Sequence, residues 1–241
     1  MKPLAIMVTG EPLKSVLRAH GSFVEQIRRT VGGAWHGPWD VVDARAAFVA
    51  GAALLPADGF AGVVVSGSHA SLTEGLPWMA TATRWLRHAL DIGKPVLGLC
   101  FGHQLLGHVM GGEVLRRDTG PEYGTVPLEM VEADELLGPV PATPPRVNML
   151  HEDSVVGLPQ GAVVLARTAH EPHAALRFGP RAWGVQFHPE FDDAALRTYL
   201  RTLRKDIARA GRDPDALLKS TAPTPWAAAL LRRFAKLVAK A

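Results

Sequence analysis

The chain has 241 residues, 47% of them apolar, and a formal net charge of +3. That is enough chain for one sizeable α/β core and too apolar for a disordered protein. A small, scattered positive excess excludes a nucleic-acid footprint, no apolar run approaches the ~18 residues of a membrane span, and a lone cysteine, Cys100, excludes an internal disulfide.

The N-terminal apolar run ends at Gly10, without the length or cleavage site of a signal peptide, so the cytoplasm is the expected compartment. Residues 4–8 form the predicted first strand, broken by Gly10-Glu-Pro. Apolar residues at helical spacing (Val16, Phe23, Ile27, Val31) predict one helix over 13–31, stopped by Gly32-Gly33. Strands are expected at 39–44 and 62–65, a helix at 78–90, a strand at 95–99 and a helix at 103–110. The strands are nearly all apolar, as in a parallel sheet covered on both faces. Alternation of strands and helices argues for a doubly wound, mostly parallel α/β sheet with flanking helices.

After Gly111 the texture changes. Runs at 113–115, 124–131, 146–150, 162–168, 174–178 and 182–187 read as strands separated by Gly/Pro turns, an antiparallel extension leading back to the main sheet. Residues 139–145 are a stiff proline-rich surface loop. A helix is expected over 192–210, capped by Asp192 or Asp193. In the tail, Trp226, Leu230, Phe234 and Leu237 recur at helical spacing with Arg232, Arg233, Lys236 and Lys240 between them. A basic amphipathic helix can bind a membrane surface or a partner, but packing on its own domain is the expectation here. The expected division is one domain over 1–205 and a helical extension over 206–241.

The chemistry centres on Gly98-Leu-Cys-Phe-Gly102 at a strand-to-helix junction. This is the pattern of a nucleophile elbow with cysteine at its tip. The helix N-terminus behind Cys100 offers free N–H groups and a positive dipole end, which favour a thiolate. Further on, a strand-like run ends in His188-Pro189-Glu190. Residues i and i+2 of a strand share a face, so Glu190 can orient His188. Cys100, His188 and Glu190 thus read as nucleophile, acid/base and orienting carboxylate.

These segments, Gly-Leu-Cys-Phe-Gly-His-Gln-Leu-Leu and Gly-Val-Gln-Phe-His-Pro-Glu, resemble the two signatures of the class I (triad-type) glutamine amidotransferases, above all the glutaminase domain of GMP synthase and its free-standing relatives. The resemblance runs over about residues 1–203 and implies a flavodoxin-like fold. It assigns the same three roles to Cys100, His188 and Glu190, and implies that Gln104 helps hold a substrate glutamine. One oxyanion-hole donor is expected at Phe101, the residue after the nucleophile. The family draws the other from a Gly-Gly-Pro-type loop after the third strand. Here that loop keeps Gly67 but has Ser68 and His69 in place of Gly-Pro. The His151-Glu152-Asp153 stretch resembles the family's His-Gly-Asp segment, which grips the α-amino and α-carboxylate groups of glutamine, with Glu152 in place of Gly.

The implied activity is hydrolysis of glutamine to glutamate and ammonia, the ammonia going to an acceptor on a separate synthase partner, since no nucleotide-binding signature is visible. The alternatives are a γ-glutamyl peptidase or hydrolase acting on a larger compound, and a non-catalytic regulatory module. No cofactor and no metal is expected: His103 and His108 miss the i, i+4 spacing of a helical ligand pair, and His170 and His173 form an isolated cluster. No nucleic-acid or membrane partner is expected, and homo-oligomerisation is left open.

Overall fold

The computed structural model describes residues 1–240. In chain order the elements are β1 (Leu4–Val8), α1 (Lys14–His20), α2 (Phe23–Val31), β2 (Trp39–Asp43), α3 (Ala44–Val49), β3 (Gly62–Val65), α4 (Pro77–Asp91), β4 (Val96–Leu99), α5 (Phe101–Val109), β5 (Glu113–Arg116), β6 (Glu122–Pro127), β7 (Glu129–Met130), β8 (Arg146–His151), β9 (Asp153–Gly157), β10 (Val163–Arg167), β11 (Ala175–Gly179), β12 (Ala182–Val185), α6 (Asp193–Thr202), α7 (Arg204–Arg209), α8 (Pro214–Ser220) and α9 (Pro225–Ala239).

Eight strands form the central sheet in the order β2-β1-β3-β4-β12-β11-β10-β7. The first five are mutually parallel; β12, β11, β10 and β7 pair antiparallel. The doubly wound α/β architecture expected from the alternation of elements is therefore present, with its antiparallel extension. Strand β1 shows why its run is unbroken: Leu4, Ile6 and Val8 enter one core while Ala5 and Met7 enter the other. Helices cover both faces, so both sides of each central strand are apolar.

Several details differ from the sequence reading. The helix expected over 13–31 is two helices. Gly21 adopts φ 86°, and Ser22 and Glu25 form a reciprocal capping box that starts α2. Strand β2 stops at Asp43, whose carboxylate accepts from the N–H groups of Arg45 and Ala46 and so begins α3, which the sequence reading missed. Strands β5 and β9, and β6 and β8, stand off the main sheet as two antiparallel pairs instead of extending it. The helix expected over 192–210 is split at Leu203 into α6 and α7, with Asp192 as the cap of α6. The boundary expected after residue 205 falls inside α7.

Helix α9 lays Ala227, Leu230, Leu231, Phe234, Ala235 and Val238 into the same core as β1, α2 and α6. The Phe234 ring is fully buried and meets the edge of Trp183 on β12. Among the described residues, no helix is long and apolar enough to cross a membrane. Phe234→Ala is expected to cost about 3–5 kcal/mol, as for other buried aromatic truncations. Urea denaturation should then show a single transition at a lower midpoint. An early transition confined to α9, with the remainder unchanged, would contradict this packing.

Candidate functional site

The carboxyl ends of β3, β4 and β12 converge on one cavity, as expected for an open α/β sheet. β4 delivers Cys100 between its last residue and the first of α5. Cys100 has φ 50° and ψ −103°, and is the one non-glycine residue with positive φ among the described residues. Such backbone is strained and clusters at functional sites. The turn is tight because its glycines leave no room for a side chain. A Cβ on Gly98 would collide with the carbonyl oxygen of Gly102, and one on Gly102 would sit 2.5 Å from the Val65 carbonyl oxygen. The turn is held by Cys100 N–H donating to Val185 O (2.9 Å) and Gln104 N–H donating to Cys100 O (3.1 Å).

β12 leads into the segment carrying His188 and Glu190, both buried. Nδ1 of His188 lies 2.8 Å from Oε1 of Glu190. Nε2 makes no hydrogen bond among the described residues. Burial opposes a charge on this imidazole. The nearby negative charges of Glu190 and of the Cys100 sulfur outweigh it and raise the His188 pKa to about 10. Gly67 sits over the pair: a Cβ there would lie 3.2 Å from His188 Cε1 and 3.9 Å from Cys100 Cβ.

The loop after β3 is pinned from β1, where the Thr9 hydroxyl reaches the carbonyls of Ser66 (3.0 Å) and Gly67 (3.1 Å). Ser68 fits because Gly10 has no side chain; a Cβ on Gly10 would lie 2.7 Å from Ser68 Oγ. The Ser68 hydroxyl accepts from Ala70 N–H (3.1 Å). Among the described residues nothing accepts from the N–H of Phe101 or of Ser68. The pKa of His69, beside them, is lowered by burial and by repulsion from His188.

The cavity is about 200 Å³ and includes Cys100, His188, Ser68, His69, Gln104, His151, Glu152 and Asp153 in its lining. The structure thus brings most of the sequence-selected residues to one place, but it gives some of their side chains specific partners. The Gln104 amide nitrogen donates to Asp153 O (2.8 Å) and to Gln186 Oε1 (3.1 Å). His151 is held by Glu122 (3.3 Å) and by Asp153 O (3.0 Å). Asp153 takes the Ser71 hydroxyl, and the half-exposed Glu152 pairs with Arg116 at 2.6 Å.

Three neighbours escaped the sequence reading. Gln186 donates to Cys100 Sγ (3.5 Å); a glutamine inside a buried apolar strand end was the available signal. Asn148 ties the His-Pro-Glu turn to β8. Its carbonyl accepts from His188 N–H (2.9 Å), and its side-chain amide donates to Phe191 O (3.1 Å). Phe191 stacks on His188. Among the described residues, no three His, Cys, Asp or Glu side chains are grouped to hold a metal. His103 is fully buried in α5, and burial lowers its pKa to about 3.

This is an α/β protein with a cysteine at a strand–helix elbow and a carboxylate-bonded histidine beside it. Residues 19–202 match the model of the family "Glutamine amidotransferase class-I", and the chain belongs to that family, one of cysteine-dependent amidohydrolases. It is 43% identical over 130 residues to a glutamine-hydrolysing GMP synthase of Aeropyrum pernix, a match covering 54% of this chain and 24% of that protein. It is 36% identical over 172 residues to the GMP synthase of Porphyromonas gingivalis strain W83, covering 69% and 33%. The matches thus span about a quarter to a third of the length of these curated relatives. In fold it is similar to a glutamine amidotransferase of Thermotoga maritima (TM-score 0.77, 21% identity, all of both chains). It is also similar in fold to a glutamine amidotransferase of Methylobacillus flagellatus (TM-score 0.67, 20% identity, 100% and 94% of the two chains).

Gly98→Ala is expected to lower the thermal midpoint sharply, because the added methyl meets backbone that cannot yield. Overpacking costs about 1–3 kcal/mol and often more at such a contact. Wild-type melting would mean that the elbow is looser than its geometry.

Proposed function

We propose that this chain hydrolyses the side-chain amide of glutamine through a γ-glutamyl thioester on Cys100. The observation that carries the reading is a cysteine held at φ 50° beside a buried histidine that is bonded to a carboxylate at Nδ1 and unpartnered at Nε2. The Cys100 thiolate attacks the amide carbonyl carbon, and the carbonyl electrons move onto oxygen. The N–H groups of Phe101 and of the Gly67–Ser68 turn receive that negative charge. As the oxyanion collapses, the C–N bond breaks and His188 Nε2 gives its proton to the departing ammonia. A water then attacks the thioester while His188 takes its proton, and the C–S bond breaks to release glutamate. Glu190 keeps the tautomer and stabilises the imidazolium throughout.

The backbone of residues 151–153 is assigned to the amino-acid end of the substrate. Gln104 serves this segment by holding the Asp153 carbonyl and Gln186. The likeness to glutamine-hydrolysing GMP synthases supports a synthase partner as acceptor of the ammonia. The cytoplasm is the proposed compartment, with which a single free cysteine is compatible. A second reading, hydrolysis of a larger γ-glutamyl compound, is favoured by one feature. Arg116, Tyr123, Glu152 and Asp206 line both the cavity and an adjoining groove that continues to Arg117 and Arg209. Ammonia or amine release over a panel of glutamine, γ-glutamyl peptides and γ-glutamyl amines separates the two.

In that assay Cys100→Ala should abolish turnover with the fold intact. Glu190→Gln should lose about tenfold to ten-thousandfold and His188→Ala more, since His188 moves protons in both half-reactions. Equal rates for Glu190→Gln and wild type would show that Glu190 does not orient the base.

The loop supplies a separate prediction. Ser68→Ala loses only the bond to Ala70 and should stay within a few-fold of wild type. Ser68→Pro deletes the backbone donor and should lose at least about 10²-fold in kcat. If Ser68→Ala is as inactive as Ser68→Pro while folded, the hydroxyl and not the N–H is the working group.

A further inference from the structure

Resting on the reading of His188 as the acid/base, we propose that Phe191 is a positioning residue, which fixes the plane of the imidazole and favours its protonated form by stacking face to face against it. The two rings are 4.0 Å apart, centre to centre, with planes 2° from parallel. Phe191 is buried and backed by Tyr199 (4.9 Å, 27°), with Phe23 further off (6.3 Å, 13°).

The stack matters because, among the described residues, the His188 ring makes a hydrogen bond at one edge only. Glu190 holds Nδ1, and Nε2 is unpartnered. One hydrogen bond leaves the ring free to tilt about that contact; an aromatic face against it does not. Phe191 is itself locked to the same anchor, because Asn148 accepts from the His188 N–H and donates to the Phe191 carbonyl. Any movement of that anchor therefore carries both rings together.

The face of a benzene ring is electron-rich, so it attracts an imidazolium more than a neutral imidazole. The groups around His188 set the balance. Glu190 and the Cys100 sulfur favour the charged form; burial and His69 oppose it. Tyr199, on the far side of Phe191, is neutral, its own pKa raised by burial. Phe191 adds to the favourable side without introducing a charge. The size expected for such a contact corresponds to roughly 0.4–1.5 pH units.

The test is the titration of His188, followed by NMR in the full chain with ¹³C-labelled histidine. A Cys100→Ala background removes the thiolate contribution. Phe191 is replaced by phenylalanines carrying two and then five ring fluorines, which keep the shape and progressively withdraw electron density from the face. The His188 pKa is expected to fall stepwise, by about 0.5 unit or more at full fluorination. It should also fall in Phe191→Leu, by less than at full fluorination, because leucine removes the electron-rich face whereas five fluorines reverse it, and stay near its starting value in Phe191→Trp. A titration unmoved by fluorination would overturn the proposal and leave Phe191 as core packing. The fluorinated series decides the matter even if Phe191→Leu does not fold. The titration needs no substrate, so its failure is separable from failure of the hydrolase reading. Loss of ammonia release in an otherwise normal wild-type assay would remove the latter alone.

Discussion

Everything at the site depends on one backbone constraint, the left-handed conformation of Cys100. An L-residue with φ 50° costs on the order of 1–3 kcal/mol and persists only where its surroundings over-determine it. Here they do. Gly98 lies against the Gly102 backbone and Gly102 against the Val65 backbone, so that neither tolerates a Cβ, β12 binds the Cys100 N–H, and α5 begins at the next residue. The consequence is a sulfur held out of strand register at the end of a helix whose first N–H groups are free.

The rest of the fold brings partners to that point. β12 lies beside β4 in the parallel sheet, in a register that pairs Gly184 with Gly98 and Val185 with Leu99. The chain leaving β12 therefore reaches the elbow at the level of Cys100, which places His188 three residues later. β1 and β3 bring Thr9 and the 66–68 loop over the same end. The two small antiparallel pairs, β5 with β9 and β6 with β8, wall off the far side. They bring Arg116 of β5, Asp153 of β9 and Glu152, between β8 and β9, to the cavity wall.

Most of this was legible in the sequence where the signal was local and physical. Two glycines flanking Cys100 describe short-range geometry, and so does a carboxylate two residues beyond His188, although that pair does not share a strand face as expected: β12 ends at Val185, and His188 and Glu190 meet on the turn beyond it, which Asn148 of β8 holds. Unbroken apolar strands gave the parallel sheet for the same reason. Illegible features were of two kinds. One was competition between local signals: helical spacing across 13–31 concealed the Ser22–Glu25 capping box, and strand-like apolarity at 39–44 concealed the Asp43 cap. The other was long-range pairing. Asp153–Gly157 is not among the strands expected from the sequence and becomes β9 where β5 lies against it. Gln186 and Asn148 gain their roles from residues far away in the chain, Cys100 and His188, and Phe191 meets His188 only because the chain turns after β12; no spacing rule marks them.

The central claim is that Cys100 attacks a γ-glutamyl carbonyl. Intact-protein mass spectrometry after treatment with a diazo-ketone analogue of glutamine tests it most directly. The expected result is a single adduct, mapped to Cys100 and suppressed by excess glutamine. No adduct under those conditions, or one mapped to any other residue, would contradict it.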